Sequence, residues 1–484
     1  MTKIVFSLFT LSICVQMLSA QLALNLNLTI PDSLSKKHPL AWDISNNASR
    51  AETQLDRVEL QADTNTYSGF PMLSQTVCHT GQELRKLRIS ARVKPIDHDS
   101  GRAYLYAHTK AGESYIQAIS SPWMEKNDAW QQLELFIILD VRVSEYIFGV
   151  ALEGNGRLWV DEFEVEEVSL QEPELADSLR YYIDTFFSIA RSEALGREAI
   201  DWDRLERDVL MLSSEANSLV DLHPNLAYAA RRINKHSLFV LPQVVRQWRG
   251  EDNDEIANRK TFLPSMEFSS GRRINSRTAY ISMPGVNSGH EPSLQKFADS
   301  LQQLIRELDS PETDSWVLDL RNNTGGNCWP MLAGVGPFLG EGVCGYFMNM
   351  DGSDKTAWRY NSQGSFIDTS LVTPLSQPAY TLLNAQARIA VITGPRTGSS
   401  GEVVTIAFRA MDHVRSFGQP TAGYSTTNTS FFMPDGAMLL LTISVYGDRE
   451  SIAYGEEVEP DEIVDQSIDG KDMALERAVE WLNQ

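Results

Sequence analysis

A serine in a turn of small residues is the part of this sequence best suited to chemistry. Residues 397–402 read Thr-Gly-Ser-Ser-Gly-Glu and follow an apolar run at 389–393. This order predicts a strand that turns sharply into a helix, and small residues there leave a hydroxyl clear of bulk. The N–H groups that begin the helix favour negative charge. The pattern predicts an acyl-transfer enzyme with Ser399 as nucleophile; an ordinary serine N-cap is the alternative.

A second segment ends a buried apolar run with a glycine pair. Residues 319–327 read Asp-Leu-Arg-Asn-Asn-Thr-Gly-Gly-Asn. Glycine allows main-chain N–H groups to approach a substrate oxygen, and an oxyanion hole needs two such donors. We assign one donor to Gly325 or Gly326 and the other to Ser400. A tight turn that binds nothing is the alternative. Because no Cys and His spacing resembles a zinc site, we expect neither a metal nor a cofactor.

Five segments in order resemble peptidase family S41, which includes tail-specific, C-terminal-processing and tricorn-core-like serine peptidases. The resemblance implies a ClpP- or crotonase-like core, a peptide or unfolded protein as substrate, and Ser399 as the attacking group. It also implies that His236 acts as general base. The five segments are residues 199–202 (Ala-Ile-Asp-Trp), 235–237 (Lys-His-Ser), 319–326, 399–402 and 454–461.

Two features distinguish the sequence from the bacterial processing members of this family. Those members use a serine–lysine dyad, whereas the lysine position here holds Tyr424, and residues 356–470 contain no lysine. The tricorn-like branch instead uses serine, histidine and glutamate. The resemblance to that branch implies a carboxylate that orients His236. The candidates are Glu456 and Glu457, with Asp448 as a third.

The pattern of apolar residues changes along the chain and predicts a multidomain protein. Residues 25–170 alternate in the manner of an all-β jelly-roll sandwich. Residues 175–245 show helical spacing and predict a helical subdomain. Residues 275–484 alternate strand and helix, which favours an α/β core with a mainly parallel sheet. Sites in such cores lie at the carboxyl ends of the strands, where Ser399 and the glycine segment both fall.

The N-terminal sandwich resembles carbohydrate-binding modules and galactose-binding-like domains, on the sequence of residues 154–163. Trp123, Trp130 and Trp159 could stack on sugar rings, so a glycan is a possible partner. Packing in the core or at its rim is the alternative for these tryptophans.

Charge and the N-terminus restrict the partners and the compartment. The 484 residues carry a formal net charge of −22, which argues against nucleic acid or an anionic membrane surface as a partner. Residues 1–20 have a lysine, an apolar core and a small-residue ending, which predict a secretion signal. We therefore expect a secreted or periplasmic protein. No other apolar run approaches membrane-spanning length, so we expect no stable membrane insertion.

Two further questions stay open at this stage. Cys328 and Cys344 could form a disulfide in an oxidising compartment or remain buried thiols. The function also has an alternative: a catalytically weak or inactive protein on the peptidase fold that binds an apolar ligand, as retinoid-binding relatives of the family do. A carbohydrate-anchored module is compatible with either function.

Overall fold

The structure is a computed structural model that describes most of the chain after residue 71. Its described residues are 43–44, 50–54, 57–62, 72–96, 102–112, 114–124, 129–154, 156–249, 266–465, 467–468 and 470–484. The predicted signal at 1–20 lies outside them. The chain divides into two compact units, residues 1–181 with 201–229 and residues 182–200 with 230–484.

The first unit contains two five-stranded antiparallel sheets. One has the strand order β1-β4-β9-β6-β7 and the other β2-β3-β10-β5-β8. Alternation explains the layers, because every second residue of a strand such as β5 faces the shared core; Leu87, Ile89 and Val93 are at most 4% exposed. The strands are β1 (Asp43–Ile44), β2 (Arg50–Gln54), β3 (Arg57–Ala62), β4 (Met72–Cys78), β5 (Arg85–Pro95), β6 (Arg102–Ala111), β7 (Ser114–Ser120), β8 (Gln131–Leu139), β9 (Glu145–Glu153) and β10 (Gly156–Val168).

The helices that follow the sandwich are shared between the two units. Asp201 is the N-cap of one of them, since its side chain accepts a 3.1 Å hydrogen bond from the Arg204 N–H. The helices of the expected 175–245 subdomain therefore do not form a compact unit of their own. They are α1 (Asp177–Glu193), α2 (Trp202–Leu212), α3 (Leu219–Ile233) and α4 (Pro242–Arg249).

A six-stranded sheet with the order β12-β13-β14-β19-β20-β23 lies at the centre of the second unit. Only β12 is antiparallel to its neighbour, and the other pairs are parallel. The strands are β12 (Ser270–Arg273), β13 (Thr278–Ser282), β14 (Ser315–Asp319), β19 (Arg388–Thr393), β20 (Val414–Gly418) and β23 (Glu462–Ile463). The helices are α5 (Glu291–Leu308), α6 (Cys328–Leu339), α7 (Ser400–Ala407) and α8 (Met473–Leu482).

Strand β14 shows why this sheet is buried on both faces. Trp316 and Leu318 join the core formed with α5, α6 and α7, whereas Val317 joins a separate cluster with α8. A strand covered on both faces has an almost continuous apolar sequence, as this one does.

A second sheet of seven antiparallel strands completes the unit, with the order β11-β22-β15-β16-β17-β18 and with β21 also paired to β22. Because β11 and β21 both pair with β22, His236, which lies just before β11, comes close to the start of β21. The strands are β11 (Leu238–Val240), β15 (Gly342–Met348), β16 (Thr356–Asn361), β17 (Gly364–Ile367), β18 (Ser370–Pro374), β21 (Thr426–Phe432) and β22 (Met438–Gly447), followed by a hairpin of β24 (Ser467–Ile468) and β25 (Lys471–Asp472).

The multidomain prediction and its β-rich N-terminal region are confirmed. Cys328 and Cys344 are both buried thiols and are not joined by a disulfide. In the part of the chain that the structure describes, no helix has the length and apolarity needed to cross a membrane.

Candidate active site

Ser399 lies in a strained turn between β19 and α7. Its φ and ψ angles are 51° and −115°, a left-handed conformation that few residues other than glycine adopt. Such a conformation costs on the order of 1–3 kcal/mol and persists only where the surroundings enforce it. Here the main-chain N–H of Ser399 donates a 2.7 Å hydrogen bond to the carboxylate of Glu402. A side chain in the first turn of α7 therefore stabilises the turn that carries the predicted nucleophile.

Glu402 connects this turn to the segment at 421–424. The fully buried carboxylate also accepts hydrogen bonds from the Thr421 hydroxyl at 2.6 Å and from the N–H groups of Gly423 and Tyr424, each at 2.9 Å. Burial raises the pKa of Glu402 to about 7, and these hydrogen bonds act in the opposite direction. One carboxylate thus fixes two chain segments that are 19 or more residues apart.

The glycine pair packs directly against the serine turn. Gly325 and Gly326 have φ angles of 99° and 107°. A Cβ atom at Gly325 would lie 2.9 Å from the Ser399 Cβ, and one at Gly326 would lie 2.3 Å from the Val286 carbonyl oxygen. Both positions therefore require glycine, for conformation and for space.

The N–H groups around this contact differ in their partners. The Gly325 N–H donates to the Asn323 side chain at 3.1 Å. The N–H groups of Gly326 and Ser400 have no acceptor among the described residues. The Gly326 carbonyl is held by the Ser400 hydroxyl at 2.6 Å. Of the two glycines expected to supply an oxyanion donor, Gly326 is therefore the one with an available N–H.

His236 is held by residues at the start of β21. Its Nδ1 lies 2.7 Å from the Thr426 hydroxyl, and its ring centroid is 5.0 Å from that of Tyr424. Burial lowers the pKa of His236 to about 4, and the positive charges of Arg231 and Lys235 contribute in the same direction. The imidazole is therefore neutral near pH 7, as a general base must be.

In the part of the chain that the structure describes, none of the three carboxylates expected to orient His236 is hydrogen-bonded to its ring. Glu456 is exposed and forms a 2.6 Å ion pair with Lys235, and Glu457 is exposed beside Gly423. Asp448 is buried and accepts hydrogen bonds from the main chain of its own turn, including the Ile452 N–H at 3.0 Å. The Nδ1 of His236 thus lies within hydrogen-bond distance of a threonine hydroxyl, and the charge of Glu456 is paired with the residue next to the histidine in sequence.

Tyr424 links the histidine to the serine turn. Its ring contacts His236, and a Cβ atom at Gly398 would lie 3.6 Å from the tyrosine Cδ2. Sequence reasoning noticed Tyr424 only as a missing lysine and did not single out Thr426. Nothing in the sequence near Thr426 indicates that its hydroxyl meets a histidine, because that contact depends on the pairing of β21 and β11 with β22.

Arg321 anchors the start of the glycine segment. The guanidinium bonds the Asp319 carboxylate at 2.6–3.1 Å and the Asp472 carboxylate at 2.7 and 2.8 Å. Two bidentate pairs hold a planar guanidinium in one orientation. In the described ranges, no group of three or more His, Cys, Asp or Glu side chains is arranged to hold a metal ion.

Comparisons with known proteins relate this chain to peptidases and to one solved fold. Residues 277–464 match the model of peptidase family S41. The nisin-resistance protein of Lactococcus lactis subsp. lactis is 24% identical over 262 residues, which are 52% of this chain and 73% of that protein. A carboxyl-terminal-processing protease of Synechocystis sp. is 23% identical over 241 residues, which are 47% of this chain and 52% of that protein. A lipoprotein structure from Streptococcus agalactiae shares the fold with a TM-score of 0.51 at 23% identity, over 65% of this chain and 99% of that one.

The chain is a serine-type peptidase, as the family match and the processing-protease relatives show. Residues 277–464 are its peptidase family S41 domain.

Proposed function

We propose that this protein is a secreted or periplasmic peptidase in which Ser399 and His236 hydrolyse peptide bonds in unstructured peptides. The observation that carries the proposal is the environment of Ser399. A non-glycine residue at positive φ lies beside two N–H groups, of Gly326 and Ser400, that have no acceptor among the described residues. Donors left unbonded at a strained hydroxyl suit an oxyanion that forms only during reaction.

The proposed chemistry follows from these groups. Ser399 Oγ bonds to the scissile carbonyl carbon while its proton passes to His236. The carbonyl oxygen becomes an oxyanion that accepts hydrogen bonds from Gly326 and Ser400. The carbon–nitrogen bond then breaks as the imidazolium returns its proton to the leaving amine. Water, activated by the same imidazole, releases the acyl group from Ser399.

The compartment is part of the proposal. The signal predicted at residues 1–20 supports export. N-terminal sequencing of the protein recovered from its native cell fraction tests this part. Cleavage after residue 20 would support it, and an uncleaved chain in the cytoplasm would contradict it.

Active-site labelling tests the proposed chemistry. We expect a fluorophosphonate to label the wild type, and Ser399→Ala to lose both labelling and hydrolysis of a mixed peptide pool. Ser416→Ala, a serine on β20 at some distance along the chain, is the matched control and should label normally. A wild type that neither labels nor cleaves any peptide would contradict the proposal. If such a protein co-purified with a lipid, the alternative of an apolar-ligand carrier would be favoured.

A glycan on the N-terminal sandwich is a second, compatible proposal, and one cavity favours it. A space of about 560 Å³ beside Trp123 is also lined by Gln131, Gln132 and Glu134. Trp123 is 39% exposed. An exposed indole with amide and carboxylate groups suits the apolar face and the hydroxyls of a sugar. Trp130 and Trp159 instead lie under the cations of Arg92 and Lys94, at 4.9 and 5.9 Å. Loss of glycan-array binding in Trp123→Ala, but not in Trp130→Ala, would support this site, and a blank array for the wild type would refute it.

A further inference from the structure

Among the residues that the structure describes, no carboxylate hydrogen-bonds His236, so we look to other groups for what sets the position of its ring. In the part of the chain that the structure describes, the only side chain that hydrogen-bonds its Nδ1 is Thr426, at 2.7 Å. When the Thr426 hydroxyl accepts a hydrogen bond from Nδ1–H, Nε2 keeps its lone pair for the serine.

The face of the imidazole is in contact with Tyr424. The two ring centroids are 5.0 Å apart with a tilt of 42° between the planes. The Tyr424 N–H is fixed on Glu402 at 2.9 Å, and the same carboxylate holds the Ser399 N–H at 2.7 Å. The ring of Tyr424 thus stands between the histidine and Gly398, the residue before the nucleophile.

We infer that Thr426 and Tyr424 are positioning residues for His236 and together replace the acid of a catalytic triad. This inference rests on the proposed function of His236 as the general base. Thr426 selects the tautomer and the in-plane direction of the ring, and Tyr424 fixes its face. Glu402 accepts hydrogen bonds from the N–H groups of both Tyr424 and Ser399, so one buried carboxylate fixes the main chain beside the base and at the nucleophile. A neutral hydroxyl stabilises the imidazolium less than a carboxylate would, in agreement with a ring that is protonated only in acid.

Substitutions at Thr426 test the inference through the pH dependence of the reaction. Thr426→Val keeps the shape and removes the hydroxyl, and should lower the rate of fluorophosphonate labelling about 10-fold, the loss expected for one hydrogen bond to a group that becomes charged. Thr426→Ser restores the hydroxyl and should stay within about 3-fold of the wild type. Thr426→Asp supplies a carboxylate and should move the acid limb of the rate profile to higher pH.

Tyr424 is tested by the contrast between its ring and its hydroxyl. Tyr424→Phe should resemble the wild type, because the contact with His236 is made by the ring, whereas Tyr424→Ala should lose about 10-fold or more in rate. Circular dichroism and thermal unfolding of each variant identify any that fail to fold. A Tyr424→Ala protein that folds and reacts normally would overturn this half of the inference.

A second measurement does not depend on activity. In full-length protein with ¹⁵N-labelled histidine, the His236 signals can be assigned by their loss in His236→Ala. We expect the Nδ1–H tautomer in the wild type at pH 7 and a change in tautomer balance in Thr426→Val. An Nε2–H tautomer, or a spectrum unchanged by Thr426→Val, would overturn the inference. If the tautomer is as expected but the wild type does not label at Ser399, it is the proposed function that fails.

Discussion

Glu402 accepts a 2.7 Å hydrogen bond from the main-chain N–H of Ser399, three residues before it. The same carboxylate bonds Thr421, Gly423 and Tyr424. All its partners are donors, so a carboxylate with two acceptor oxygens satisfies them and an amide cannot.

We therefore predict that Glu402→Gln lowers both stability and rate. A glutamine would direct N–H groups at N–H groups, at a cost of about 1–3 kcal/mol in the free energy of unfolding. The labelling rate should fall because Ser399 is no longer held in its strained turn. Urea unfolding and fluorophosphonate kinetics measure both effects. Glu457→Gln, an exposed neighbour of the same segment, is the control and should behave as the wild type.

The stability of the wild type should also vary with pH through Glu402. Burial raises the folded pKa to about 7 from an ordinary value of 4.5. Between these values the folded state binds more protons than the unfolded chain, so the contribution of this group to stability decreases as pH rises from 4.5 to 7. The slope should be absent in Glu402→Gln. Equal slopes for both proteins in urea titrations at several pH values would contradict this assignment.

The pH dependence of the reaction should report His236. The lowered pKa predicts a labelling rate that rises as pH increases through about 4 and then levels. Lys235→Gln removes a positive charge that lowers this pKa, so it should move the acid limb to higher pH. Lys296→Gln on α5 is the control. A limb at 6.5 in the wild type would show that the imidazole is solvated and would argue against the packing on Tyr424.

Glu456 provides a direct test of the acid predicted from sequence. The exposed carboxylate is paired with Lys235, and exposed pairs contribute on the order of 0–1 kcal/mol. Glu456→Gln should therefore keep the labelling rate within about 3-fold of the wild type. A loss of 100-fold or more would mean that this carboxylate reaches His236 during the reaction, and it would restore the triad that the sequence suggested.

Ser400→Ala examines the oxyanion site without removing its donor. The variant keeps the Ser400 N–H but loses the 2.6 Å bond from the hydroxyl to the Gly326 carbonyl. A less restrained Gly326 N–H should lower the rate of peptide hydrolysis about 2- to 10-fold, the value of one ordinary hydrogen bond. The serine of the labelled peptide, identified by mass spectrometry, should still be Ser399. Labelling at Ser400 in the wild type would reverse the assignment of the nucleophile.

The parts of the site that sequence reasoning found are those with local signals. The turn at 397–402 and the glycines at 325–326 need small residues for reasons visible in a few consecutive positions. The sequence alone could not decide whether Gly325 or Gly326 has the available N–H. That choice depends on the Asn323 side chain, which accepts the hydrogen bond of the Gly325 N–H.

The partners of His236 could not be found in this way. They depend on β11 and β21 both pairing with the same stretch of one long strand, β22, at sequence separations of about 200 and 10 residues. The order of the motifs that resemble family S41 indicated a glutamate near residue 456. Glu456 is there, but its carboxylate bonds Lys235 and not the imidazole. If the glutamate stood one residue earlier or later in this segment, its carboxylate would meet a different charged group.

Asp472 has a consequence for how truncated samples behave. It begins the last helix, and it bonds Arg321 across 151 residues of sequence, at the root of the glycine segment. Trimming by a contaminating protease beyond residue 470 would remove that counter-ion and leave the guanidinium half-paired next to the oxyanion donors. Preparations that have lost only their last 14 residues would then turn over slowly although every reacting group is still present, so intact mass must be verified before any kinetic constant is compared.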